Sequence, residues 1–258
     1  MDHDHELHRF GGATWLDRTG GRLTWGDRLR LLGPLLAGQR QFAQSTVALR
    51  LGRRRSEPLA SPTPPRSAMA RAAEDAAAEQ PEVLVGHSYR TWAYGRTLAA
   101  LDGVTGLDEE LFYVASLLHD LGLVKAVTGE DFTLRGANRA GEIVRAHHDG
   151  DPERGDAEAA VACARQAVVA HVTPGITAAD DGLEGFYVQA GATCDLVGIR
   201  RHHVPATFDA ELRARHSHAG LVDDLTSRIR AEARAVRGGR FDYLRRTGFT
   251  LAMRLGPH

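Results

Sequence analysis

The stretch DEELFYVASLLHDLG, residues 108–122, decides how this chain is read. Asp108, Glu109 and Glu110 are acids of the kind that settle at a helix N-terminus, where unpaired N–H groups carry partial positive charge. Leu111, Val114, Ala115 and Leu118 then recur every three or four residues and lay an apolar face along one side of a helix. Gly122 stops it. The helix therefore carries an imidazole and a carboxylate, His119 and Asp120, at its C-terminal end. Adjacent side chains on a helix point about 100° apart. Both reach one ion only if it lies between the two directions, close to the helix end.

The same reading extends in both directions. Residues 67–79 are alanine-rich, a composition that costs a helix little side-chain entropy. Helices are also expected over 88–102, 135–147, 156–171 (ended by Pro174-Gly175), 182–199 and 208–237. No segment alternates with period two and no repeat is visible, so the class is all-α. Upstream, Leu29, Leu32, Leu35, Leu36, Phe42, Val47 and Leu51 mark helical material over 24–51, with Gly33-Pro34 expected to break or kink it. Arg53-Arg54-Arg55 and then Pro58, Pro62, Pro64 and Pro65 read as a linker. This divides the chain into an N-terminal helical arm (1–58), a main helical domain (59–240) and a C-terminal tail (241–258).

Composition narrows the function. The chain has 258 residues, 43% hydrophobic and 25% charged, enough for a core that needs no disulfide staples. A formal charge of −1 argues against a general electrostatic grip on nucleic acid or anionic lipid. Cys163 and Cys194 are too few for a disulfide framework, so a reducing cytoplasm is the expected compartment. No apolar run approaches the ~20 residues needed to span a bilayer. Lys125 is the single lysine among the 32 basic residues, which raises the question of whether its chemistry is wanted.

Four residues stand out as candidate metal ligands: His87, His119, Asp120 and Asp195. Imidazole nitrogens and carboxylate oxygens suit a divalent first-row metal, and two of each leave coordination positions open for water or substrate. Spacing alone leaves a hydrogen-bonded core role open for each. The local sequences go further. GHSYRTWAYG around His87, SLLHDLG around His119-Asp120, VVAHVTPG around His171 and GATCDLVG around Asp195 resemble the HD-domain superfamily of metal-dependent hydrolases. The resemblance covers about 62–199 and is closest to the branch containing cyanamide hydratase, through a PxPPRS start, an HSxRTW helix, DEELFYVASLLHDLGL and FTLRGANRA.

The resemblance implies an HD-domain helical bundle, with the arm as an addition. It also implies metal ligation by His87, His119, Asp120 and Asp195. Two-metal members carry a further His ahead of the Gly136-Ala137 pair, where this chain has Phe132, so a mononuclear site is expected. Zinc is the first expectation for the ion, with iron or manganese as alternatives. Asp120, His171 and Lys125 are the candidates for proton handling, Phe132 for contact with substrate, and Arg90 for contact with substrate or with a carboxylate behind the site. Many family phosphohydrolases place a lysine after HD-x-G; here Leu123 stands there, which favours a small, weakly charged substrate. The expected reaction is addition of metal-activated water to a nitrile-type molecule, cyanamide giving urea; hydrolysis of a nucleotide or other small phosphate ester is the alternative. The partner is then a small molecule, without nucleic acid or membrane, and the arm either packs on the body or joins a second subunit as a homodimer. His147-His148 beside Asp149-Gly150 read as a helix cap, His202-His203 as a pocket rim, His3, His5 and His8 as tail, and Cys194 as a small buried thiol.

Overall fold

The computed structural model describes residues 10–57, 59, 61–148 and 156–257. His3, His5, His8, Pro58, Asp149 and Gly150 lie outside the described residues. Among the described residues there are thirteen α-helices and no β-strand, only isolated bridges at Arg22–Gly239 and Val127–Glu130. In chain order they are α1 (Ala13–Thr19), α2 (Trp25–Arg50), α3 (Ala68–Ala77), α4 (Glu82–Leu101), α5 (Glu109–Leu118), α6 (Phe132–His147), α7 (Ala157–Ala170), α8 (Ala178–Asp181), α9 (Leu183–Val197), α10 (Ala206–Arg215), α11 (Leu221–Ala235), α12 (Arg240–Arg246) and α13 (Phe249–Leu255).

Several helices start where the sequence supplies a cap. Asp108 accepts hydrogen bonds from the N–H groups of Glu110 and Leu111 at 3.0 and 2.9 Å, starting α5. Ser67, Asp131 and Asp156 cap α3, α6 and α7 in the same way. Thr24 and Asp27 cap α2 reciprocally.

Three glycine contacts set the geometry of the bundle. A Cβ on Gly191 of α9 would strike the backbone of Thr91, and one on Gly95 of α4 would strike the carbonyl of Tyr187. α4 and α9 therefore pack backbone to backbone, which brings His87, one turn before Thr91, against Asp195, one turn after Gly191. Gly122 does the same beyond α5. A Cβ there would overlap the backbone of Phe132, so the Leu121–Val124 turn presses directly on the start of α6.

Two apolar clusters result. The larger fills the bundle around Tyr94, Phe112, Leu117 and Leu118. The second joins Leu84, Leu123, Phe132, Val172 and Leu196 to Leu221, Leu225, Phe241, Leu244 and Met253 from α11–α13. The expected helix over 208–237 divides at 216–220 into α10 and α11. The segment 241–258, expected as a tail, supplies α12 and α13 and buries Phe241, Leu244 and Met253 in this cluster.

The arm lacks the break expected at Gly33-Pro34. α2 runs unbroken from Trp25 to Arg50 through Pro34. Gly175, at φ +87°, leaves the space that the Pro34 ring occupies, since a Cβ there would lie 2.6 Å from Pro34 Cγ. Packing thus stabilises a helix that proline would weaken in isolation. Further ties to the body are Tyr243 Oη to the Arg28 carbonyl (3.1 Å), Arg200 N to Ser45 Oγ (3.0 Å) and Arg54 to Asp209 (2.8 Å). His202 and His203 lie beside this arm; the His202 carbonyl accepts from Arg55 N at 3.1 Å, and neither ring bonds to the proposed ligands.

Candidate metal centre

His87, on the second turn of α4, and His119 and Asp120, just past the end of α5, converge below the second apolar cluster. All three are buried. The Nε2 atoms of His87 and His119 are 3.3 Å apart, and Asp120 Oδ2 lies 3.6 and 3.5 Å from them. These three are the described residues whose ligand atoms cluster closely enough to hold one ion.

Hydrogen bonding on the far side of each ring explains why a cation belongs there. His119 Nδ1 faces the Ser116 carbonyl at 2.8 Å, which can only accept, so Nδ1 carries the proton. His87 Nδ1 likewise faces Asp195 Oδ2 at 2.8 Å. Both Nε2 atoms are left to face Asp120 and each other. Burial first, with help from His171 and His87, brings the His119 pKa down to about 3, so it is neutral. For Asp120, burial opposes ionisation, but His119, His171 and His87 outweigh it and hold the carboxyl below the usual range. Neutral nitrogen and anionic oxygen facing one another gain nothing without a positive charge between them. Ligands about 2.0–2.1 Å from a common ion at tetrahedral angles stand about 3.3–3.4 Å apart, close to the separations found. The donor set therefore fits a divalent metal.

The fourth expected ligand takes a different place. Asp195 Oδ2 accepts from His87 Nδ1 and from Arg90 Nη2 (2.9 Å), and Oδ1 accepts from Arg90 Nε (2.8 Å). Arg213 Nη2 stands 3.6 Å from Oδ1. Both carboxylate oxygens are thus committed behind the His87 ring, and Asp195 is not among the converging atoms. It orients His87, a carboxylate–histidine support of the kind that metal ligands commonly have. Burial would raise its pKa, but Arg90 and His87 hold it well below the usual carboxylate value.

The other expected site residues divide. His171 ends α7 with Nε2 3.6 Å from Asp120 Oδ1, its ring edge-on to His119 at 4.8 Å and Nδ1 turned to the Val168 carbonyl. Phe132 is a buried wall, edge-on to His171 at 5.9 Å and stacked on Phe241 at 4.7 Å. Arg90, expected to touch substrate or a supporting carboxylate, is fully buried and bonds the carboxylate of Asp195. Beyond Asp195, its Nη1 donates to the carbonyls of His216 and Ser217 at 2.9 and 2.8 Å. Lys125 is exposed beyond the Leu121–Val124 turn and bonds to none of the cluster residues.

Residues that the sequence did not single out complete the surroundings. Asp131 and Arg240 form a buried pair (2.9 Å), and Arg240 also donates to the Val169 carbonyl, fixing α6, α7 and α12 around His171. Glu232 accepts from Phe132 N at 2.9 Å; burial and then Asp131 push its pKa up to about 7. Asp131 had a visible cue as a helix cap, whereas Arg240 and Glu232 lie about a hundred residues from their partners and had none.

Comparison with known families agrees with this geometry. The HD domain family model matches residues 84–171, from one turn before His87 to His171 itself. This part of the chain is similar to the HD domain family. The HD match ends before Asp195, so the three converging ligands and His171 lie inside it and Asp195 outside. No curated protein matched the chain.

Proposed function

We propose that the HD domain activates water towards a small, uncharged substrate of the nitrile type, such as cyanamide, which it would convert to urea. The observation that carries this reading is the combination of an apolar cover with the absence of a free cation. Leu84 and Leu123 stand three residues from His87 and Asp120, Val172 and Leu196 follow His171 and Asp195, and with Phe132 they pack under α11–α13. Among the described residues, no lysine or arginine bonds to His87, His119, Asp120 or His171; Arg90 is consumed by Asp195 and two carbonyls. A phosphoryl group needs cations for its developing charge, whereas a nitrile does not.

His87, His119 and Asp120 would hold the ion, with Asp195 fixing His87. A divalent cation there supplies Lewis acidity that makes water nucleophilic at neutral pH. Asp120 Oδ1, turned towards His171, orients the attacking water. His171 Nε2 is placed to take the proton that the water loses and return it to the nitrile nitrogen. Addition expels no leaving group and first gives the isourea HN=C(OH)–NH2; His171 then takes the hydroxyl proton and returns it to the imine nitrogen, giving urea, so one proton carrier suffices. The buried wall of Phe132 excludes bulk water beside His171.

The test offers cyanamide and small nitriles, and separately nucleoside monophosphates and a chromogenic phosphate, to the purified chain with its metal quantified. Turnover of cyanamide or a nitrile, lost in His171→Asn while metal is retained, is the expected result. Turnover confined to phosphates discards the assignment.

A further inference from the structure

α2 carries two separate apolar stripes. Leu31, Leu35, Phe42 and Leu49 face the body. On the outer side Trp25, Leu29, Leu32, Leu36 and Val47 recur at helical spacing, so at about 100° per residue they fall within a sector of about 60°. They are 73%, 50%, 47%, 66% and 55% exposed. This stripe occupies most of a 26-residue helix, a length of about 39 Å. An outward apolar stripe of that extent marks a contact surface.

Charge selects what covers it. Between residues 22 and 55 there are eight arginines and one acid, Asp27, in a chain whose net charge is −1. The near-neutral total conceals a strongly basic segment. Asp27 is buried and spent on capping Thr24. Arg54 is paired with Asp209 and Arg55 with Glu57, but among the described residues Arg30, Arg40, Arg50 and Arg53 form no ion pair, and all four are exposed. Pairing α2 with a second α2 would bring cations to cations in any register. An anionic lipid surface answers both features: it takes up leucine and tryptophan without needing a complementary groove, and its headgroups pair with arginine.

We propose that α2 docks the protein on an anionic membrane surface through Trp25, Leu29, Leu32, Leu36 and Val47, with Arg40, Arg50 and Arg53 against the headgroups. No helix among the described residues is long and apolar enough to cross a membrane, so the contact is one of lying on the surface.

The experiment is co-sedimentation of the full chain with vesicles of phosphatidylcholine, alone or mixed with phosphatidylglycerol. Trp15 and Trp92 are buried, so Trp25 is the solvent-facing reporter. The expected result is binding to the mixed vesicles only, reversed by salt, with a blue shift of tryptophan emission. Trp25→Phe removes the shift but not the binding. The double substitution Leu32→Gln/Leu36→Gln lowers partitioning at least about tenfold while leaving thermal stability and metal content unchanged. Absence of binding, or equal binding to both vesicle types, overturns the proposal. So does a dimer in solution that the same double substitution dissociates, which assigns the stripe to a second copy.

Discussion

Asp195→Asn separates a carboxylate that supports a ligand from one that is a ligand. The substitution keeps the shape but removes the negative charge facing Arg90 at 2.8 and 2.9 Å and Arg213 at 3.6 Å. It also turns one acceptor into a donor, which must oppose either an Arg90 N–H or the His87 Nδ1 proton. Leaving a buried guanidinium without its counter-charge costs about 3–5 kcal/mol. For a domain of this size that lowers Tm by roughly 10 °C. The effect on metal is smaller, because His87 remains and only its orientation is lost; about 10–100-fold weaker binding is expected. Asp120→Asn, by contrast, removes a converging oxygen and should leave no stoichiometric metal. The assay is chelator competition followed by elemental analysis on both variants, with calorimetry to register the stability loss. Equal loss of metal in the two variants would refute the supporting role and make Asp195 a ligand. Unchanged affinity in Asp195→Asn would refute its influence on His87.

Other consequences follow from the same geometry. Lys125→Ala should change stability by less than about 0.5 kcal/mol and leave metal content and turnover intact, as measured by calorimetry and the substrate panel. Gly122→Ala should cost about 3 kcal/mol or more, since the new methyl group overlaps the Phe132 backbone; a denaturant titration measures it. In the metal-free protein, His119 is held at about 3 against 6.5 unfolded, so the unfolded chain binds more protons between those values and stability falls as pH drops below 6.5. Glu232, raised from 4.5 to about 7, acts in the opposite sense over most of that window, while Asp120 and Asp195, both lowered, contribute a loss only below 3.8. The metal-free Glu232→Gln protein should therefore lose about 2 kcal/mol or more between pH 6.5 and 5, and adding His119→Asn should lessen that slope in pH-dependent thermal melts, leaving the part due to His202, His203 and His216, which burial also lowers.

The helices were legible because their signals are local. Asp108 and the Leu111–Leu118 face predict α5, and the helix does end just before His119-Asp120. That α4 and α9 meet was implied by His87 and Asp195, but their backbone-to-backbone closeness was not legible: it rests on Gly95 and Gly191 meeting across about a hundred residues, and no short window contains both. Of the two partners the sequence allows Arg90, a substrate or a carboxylate behind the site, the structure gives the carboxylate, that of Asp195. Arg90 sits three residues from His87, and its partner is 105 positions away. Pro34 does not end α2, since its local tendency to break a helix yields to the space that Gly175 leaves. Lys125 drew notice by being unique, a property of composition that carries no information about where the side chain points. The α11–α13 cover had no motif at all, only helical spacing, yet it makes the surroundings of the cluster apolar.

The account depends on His87, His119 and Asp120 gripping a cation together, and elemental analysis of the purified chain tests this most directly. It predicts one divalent ion per chain, removed by His119→Ala and by Asp120→Ala with the fold intact. A wild-type chain that takes up no stoichiometric ion, or an ion that both substitutions leave in place, would contradict it.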